Sequence, residues 1–125
     1  MKKLITIIAL TALSISQSLW ANAPRVSDAK AMAQPPGASV TAGYLTLTNI
    51  AGDPLVITGA SSDTIARVEM HESVVENDIA SMKKHEAIQI GAGATLEFKH
   101  GGFHLMLMDL TEQLMPGSTV NITLS

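Results

Sequence analysis

His71, Met82, His104 and Met106 offer two imidazoles and two thioethers, spaced H-x10-M-x21-H-x-M, in a chain of 125 residues that has no cysteine. Thioether sulfur is a soft donor that selects Cu(I), whereas Zn, Mg, Ca and Mn prefer thiolate, imidazole or oxygen. If the four side chains converge, the donor set itself specifies the metal. All four donors are neutral, so bound Cu(I) would keep its positive charge. A blue-copper electron-transfer site needs a cysteine thiolate with two histidines, and this composition excludes it. No nucleophile–base pairing, Gly-rich phosphate loop or compelling pair of carboxylates points to an enzyme.

Taken singly, these residues have duller explanations. A methionine commonly fills a gap in a core, a lone histidine on a strand commonly faces water, and H-x-M strings arise by chance. Met70 adjoins His71 and must face the opposite way in a strand, which makes it a core residue. Met108 shares a face with His104 and Met106 but lies further along, in a supporting position. His85 and His100 sit in polar surroundings (Lys83-Lys84-His85 and Lys99-His100-Gly101) and are expected in exposed turns. Met32 and Met115 have no evident partner. Glu69 and Glu72 flank His71, and either could orient its ring.

The elements that would have to position the donors are short strands. Ala33-Gln34-Pro35-Pro36-Gly37 marks a loop after a polar entry segment. Residues 42–48 alternate, with Tyr44 on one face and Leu45 and Leu47 on the other. Further strands are predicted over 55–58, 67–71, 88–90, 95–98, 104–110 and 119–124, with a weaker pattern over 79–86. Breaks fall at 49–54, 60–63, 76–78, 91–93 and 100–102, where glycine and small polar residues supply turn chemistry. Without a long segment of 3.6-residue period, this is an all-β chain, an antiparallel sandwich or Greek-key barrel. Alternate strand residues share a face. His104, Met106 and Met108 therefore point one way, and Leu105, Leu107 and Leu110 are assigned to the core. Loops of a sandwich cluster at two ends, so strand ends distant in sequence can meet there.

The N-terminus reads as an address. Lys2 and Lys3 precede an almost unbroken apolar stretch over 4–13, and Ala21-Asn22-Ala23 is a small-residue cleavage site. Residues 1–23 are expected to be a signal peptide, cut near Ala21 or Ala23, that takes the only tryptophan, Trp20, with it. Residues 24–125 are expected to form a single domain with one modest core. The apolar stretch is too short to span a membrane, and with no cysteine after it neither a lipid anchor nor another stable membrane anchor is expected. Six basic residues then face 11 acidic ones, a poor balance for nucleic acid. A cysteine-free exported chain has no disulfide framework, so packing or a ligand must hold it.

The tract Val68-Glu69-Met70-His71-Glu72, then Met82, then Gly101-Gly102-Phe103-His104-Leu105-Met106-Leu107-Met108 closely resembles the periplasmic copper chaperone family PCu(A)C. All four residues and the three spacings between them match that family's hallmark. Pro35-Pro36-Gly37, Tyr44-Leu45-Thr46-Leu47-Thr48-Asn49, Gly59-Ala60-Ser61-Ser62 and Gly91-Ala92-Gly93 look like its landmarks, and the likeness runs from about Val26 to the C-terminus. The resemblance implies a cupredoxin-like β-sandwich that carries one Cu(I) per chain on His71, Met82, His104 and Met106. It also implies a periplasmic location and transient transfer of the copper to an acceptor cuproprotein, such as the copper centre of cytochrome c oxidase. Two departures stand out. Lys30 replaces a commonly aromatic residue, and the chain stops at Ser125 where relatives add a hairpin strand, which predicts an incomplete final hairpin and an exposed sheet edge. The competing reading is an exported β-sandwich that serves as a binding or adhesion module, its methionines merely core.

Overall fold

A computed structural model describes residues 3–9, 13–14, 23–110 and 112–125. Among these residues there is no helix, and the strands are β1 (Lys3–Ala9), β2 (Leu13–Ser14), β3 (Arg25–Ala31), β4 (Thr41–Thr48), β5 (Leu55–Ile57), β6 (Ala60–Ser61), β7 (Ile65–Glu76), β8 (Ile79–His85), β9 (Ile88–Ile90), β10 (Thr95–Phe98), β11 (Phe103–Leu110) and β12 (Thr119–Leu124). The fold is an all-β barrel, one of the two architectures that the strand pattern allows, and it is cupredoxin-like, as the resemblance implies. One sheet runs β11-β4-β3-β1-β12-β6-β7, and β7 pairs again with β11, so the sheet curls until it closes on itself. β8 extends β7 as a hairpin, β10 joins β4 and β11, and β5 pairs with β9 in a separate ribbon.

The core follows from alternation. β4 alternates buried and half-buried residues along its whole length, with Leu45 and Leu47 inside and Tyr44 outside. Leu105 and Leu107 of β11 meet them, together with Val26, Phe98 and Ile122. Burying each such side chain contributes about 1.5–3 kcal/mol relative to exposure. Leu110 also packs against this core, although parity would place it with Met108. Asp109 adopts a left-handed backbone (φ 57°) and resets the alternation, and the facing strand matches it by burying both Ile65 and Val68.

Two buried amides tie the loops to the barrel. The Asn49 side-chain amide donates to the carbonyls of Asp53, Ile90 and Gly91, and its oxygen accepts from the Ala51 N–H. Gln34 donates to the Ala38 carbonyl, while its side-chain oxygen accepts from the Leu114 N–H.

Several elements differ from the sequence expectation. The polar entry segment is a strand, β3, whose buried Val26, Ala29 and Ala31 are not evenly spaced because a bulge at Asp28 (φ 53°) interrupts the period. Residues 60–61, read as a break, form β6 between β12 and β7. β7 continues well past His71 to Glu76, because the two-residue turn at Asn77 and Asp78, both with positive φ, builds a full hairpin with β8. Lys30 is exposed opposite Tyr44, outside the core. The edge of β12 expected to lie bare is paired instead. Lys3 to Ile8 run antiparallel to Leu124 to Thr119, as an unpaired row of backbone donors and acceptors favours. Most of the remainder of the expected leader, Trp20 and the Ala21 cleavage position included, lies outside the described residues.

Candidate metal centre

The antiparallel register of β7 and β11 sets His71 directly opposite His104. Both stand on the face opposite the core residues Met70 and Leu105, and their ring centroids are 5.9 Å apart with planes inclined by 42°. His104 is only 5% exposed. Each ring has one nitrogen engaged. His104 Nδ1–H donates to the Gly102 carbonyl (3.1 Å), and His71 Nε2–H donates to the Glu69 carboxylate (3.0 Å). The other nitrogens, His71 Nδ1 and His104 Nε2, are buried with no hydrogen-bond partner among the described residues. A buried polar atom normally has a partner, and an unprotonated imidazole nitrogen is a metal-ligand lone pair.

Met106 is half-buried and shares the face of His104, at the register of Glu69. Met82 sits on β8 opposite Ser73, on the neighbouring strand to His71, with its side chain 60% exposed. The fold thus brings His71 and His104 together and sets Met106 beside them, while Met82 stands largely in solvent. No group of three His, Cys, Asp or Glu among the described residues could hold a metal ion. On the same face as His104, the side chain that offers a soft donor two residues along the strand is Met106.

The surrounding residues sort cleanly. Met70 is in the core, as its adjacency to His71 required. Met108 is half-buried and its sulfur accepts from the Arg67 guanidinium (3.3 Å), which is ion-paired with Asp109. Met32 and Met115 are exposed. His100 lies in an exposed turn, as predicted, but His85 does not. It ends β8 on the opposite face from the imidazole pair, donates to Glu72 (2.9 Å) and packs on Phe103, because the hairpin carries it over the core side of the sheet. Of the two carboxylates flanking His71, only Glu69 reaches its ring.

Lys84 was overlooked in the sequence. It faces His71 across the hairpin and bridges Glu69 (3.3 Å) and Glu86 (3.4 Å). Its signal was the Asn77-Asp78 turn, since a two-residue loop fixes the register that pairs residue 84 with residue 71. The hydrogen bond from His71 and the nearby Lys84 ammonium hold the Glu69 carboxyl below the ordinary carboxylate range against the opposing effect of its burial. In return, Glu69 and Glu86 raise the Lys84 ammonium.

The family model described as LpqE-like matches residues 25–125. "Putative lipoprotein Lxx21020" of Leifsonia xyli subsp. xyli is 30% identical over 110 residues, 87% of this chain and 66% of that protein. "Uncharacterized protein RP573" of Rickettsia prowazekii is 30% identical over 86 residues, 68% of this chain and 48% of that protein. The chain thus spans less than two thirds of either relative's length. Among solved structures, the copper-bound PCuAC domain from PmoF2 superposes with a TM-score of 0.65 at 20% identity, over 79% of this chain and 77% of that one. The solution structure of apo-DR1885 from Deinococcus radiodurans gives 0.56 at 27% identity, over 90% and 85%.

Proposed function

This chain belongs to the LpqE-like family and has a PCuAC-type fold, and from that premise we propose that it is a periplasmic copper chaperone and not an enzyme. It carries one Cu(I) on His71, Met82, His104 and Met106. The observation that carries the reading is the pair of buried, unpartnered nitrogens, His71 Nδ1 and His104 Nε2, on facing positions of adjacent strands. Two imidazole lone pairs alone suit several metals. The thioether of Met106 on the same face is what favours Cu(I). Met82 completes the set from β8. Its exposure makes it the ligand most readily displaced by an incoming donor, which suits a protein that gives its cargo away. The chain reaches the periplasm through the signal peptide at residues 1–23, and the domain at 24–125 hands copper to an acceptor cuproprotein such as the copper centre of cytochrome c oxidase.

Titration of the protein with Cu(I) against a competing chelator tests this reading. One equivalent should bind per chain, without intense blue colour on oxidation. The His104→Ala, Met106→Ala double variant should bind more than about 100-fold more weakly, or about 2.8 kcal/mol. Unchanged affinity in that variant would sink the assignment and favour the adhesion-module reading.

A further inference from the structure

We infer that Glu69 is a positioning residue that selects which nitrogen of His71 binds the metal, so that copper meets Nδ1 of His71 but Nε2 of His104. The inference rests on the copper reading of the site and deepens it. Imidazole has two nitrogens, and a hydrogen bond at one of them decides which carries the lone pair. At His104 the choice is made by the main chain, because the Gly102 carbonyl can only accept and therefore keeps the proton on Nδ1. At His71 the choice is opposite and is made by a side chain. The Glu69 carboxylate lies 3.0 Å from Nε2 and holds the proton there. The two remaining lone pairs are the two buried nitrogens left without partners among the described residues. Two histidines directly opposite each other on adjacent strands are thus used through different atoms.

Strand geometry explains why Glu69 does this and Glu72 does not. Glu69 lies two residues before His71 and shares its face, whereas Glu72 is the next residue and points to the core side, where it meets His85. Glu69 is itself held, since its second oxygen is ion-paired with Lys84 at 3.3 Å. Lys84 is two residues from Met82 on β8, so the carboxylate that orients one ligand is tied to the strand that carries another. An ionised carboxylate behind an imidazole also raises its basicity, and loss of such a partner typically costs 10–100-fold in metal affinity.

The test is long-range proton–nitrogen NMR of the histidine rings in the full chain, before and after Ag(I) is added as a redox-inert probe for Cu(I). In the metal-free protein His71 should show a bare Nδ1 and a protonated Nε2, with the reverse at His104. Ag(I) should shift His71 Nδ1 and His104 Nε2. Glu69→Ala should let the His71 proton exchange between both nitrogens and weaken Cu(I) binding about 10–100-fold. Glu69→Gln keeps an acceptor oxygen at the same place and should restore the tautomer and most of the affinity. An Ag(I) shift at His71 Nε2, or an unchanged His71 tautomer in Glu69→Ala, overturns the role of Glu69 while leaving the copper site standing. If Ag(I) shifts neither ring, the copper reading fails, and the inference with it.

Discussion

Asn49 provides a sharp test of how the scaffold supports the site. It is 2% exposed, and its amide spans the end of β4, the following turn and the β9–β10 connection. Asn49→Ala removes two donor hydrogens and one acceptor. At about 1 kcal/mol net for each hydrogen bond, the loss is near 3 kcal/mol. Part of it is desolvation, because the Ile90 carbonyl is left buried without this donor. For a domain of this size, that lowers the melting temperature by roughly 12–24 °C. Asn49→Asp should be worse still, since it keeps the shape but turns carboxylate oxygens toward the carbonyls of Ile90 and Gly91. Thermal and urea denaturation of the three proteins measure this directly, with Cu(I) affinity of the folded variants as the control. The imidazole pair lies on other strands, so that affinity should not move. A loss under 1 kcal/mol for alanine, or an aspartate variant more stable than the alanine one, would refute the reasoning.

Three further outcomes are expected. Leu105→Ala, at a fully buried position between His104 and Met106, should cost about 2–5 kcal/mol in urea unfolding, and a loss below 1 kcal/mol would contradict the core assignment. The pKa of Glu69 is lowered on folding, so its carboxylate contributes stability above the ordinary value of 4.5 that is lost as pH falls through the folded-state value. Stability of metal-free Glu69→Gln should therefore fall less steeply than wild type as pH drops below 4.5, and parallel curves would show the His71 and Lys84 contacts of Glu69 to be inert. A chain beginning at Pro24 lacks the partner that residues 3–8 give β12. Hydrogen exchange at residues 119–124 should be faster in it than in the full chain, and equal protection would show that this pairing contributes nothing.

Alternation made β4, β11 and the facing of His104, Met106 and Met70 legible in the sequence, because β4 alternates along its whole length and β11 alternates from Leu105 to Met108. β3 escaped notice because the Asp28 bulge breaks that period between Val26 and Ala29. Leu110, assigned to the core with Leu105 and Leu107, does lie against it, and it does so out of phase with Leu107 because the left-handed Asp109 precedes it. Parity could also have chosen Glu69 over Glu72, since only the former shares the face of His71. His85 reads as a turn because Lys83 and Lys84 precede it with charge, although β8 is exposed from Ile79 to Lys84 and carries both lysines within the strand. The nearness of His71 to His104 was beyond local pattern, since the register between two strands some thirty residues apart is set by the closure of the whole barrel.

That closure has a consequence for the cargo. In the full chain β7 and β11 are the two staves whose pairing shuts the ring, and with residues 1–23 removed the same pairing still joins β3, β4 and β11 to β6, β7 and β12. Each of the two staves contributes one of the facing imidazoles. A cation gripped by both is a bolt across the joint. An ion that binds only the shut form stabilises it by about 2.7 kcal/mol at one hundred times its dissociation constant. Loaded and empty protein should then differ in how often this joint breathes, and an acceptor that pries β7 from β11 would weaken both imidazole bonds in one movement.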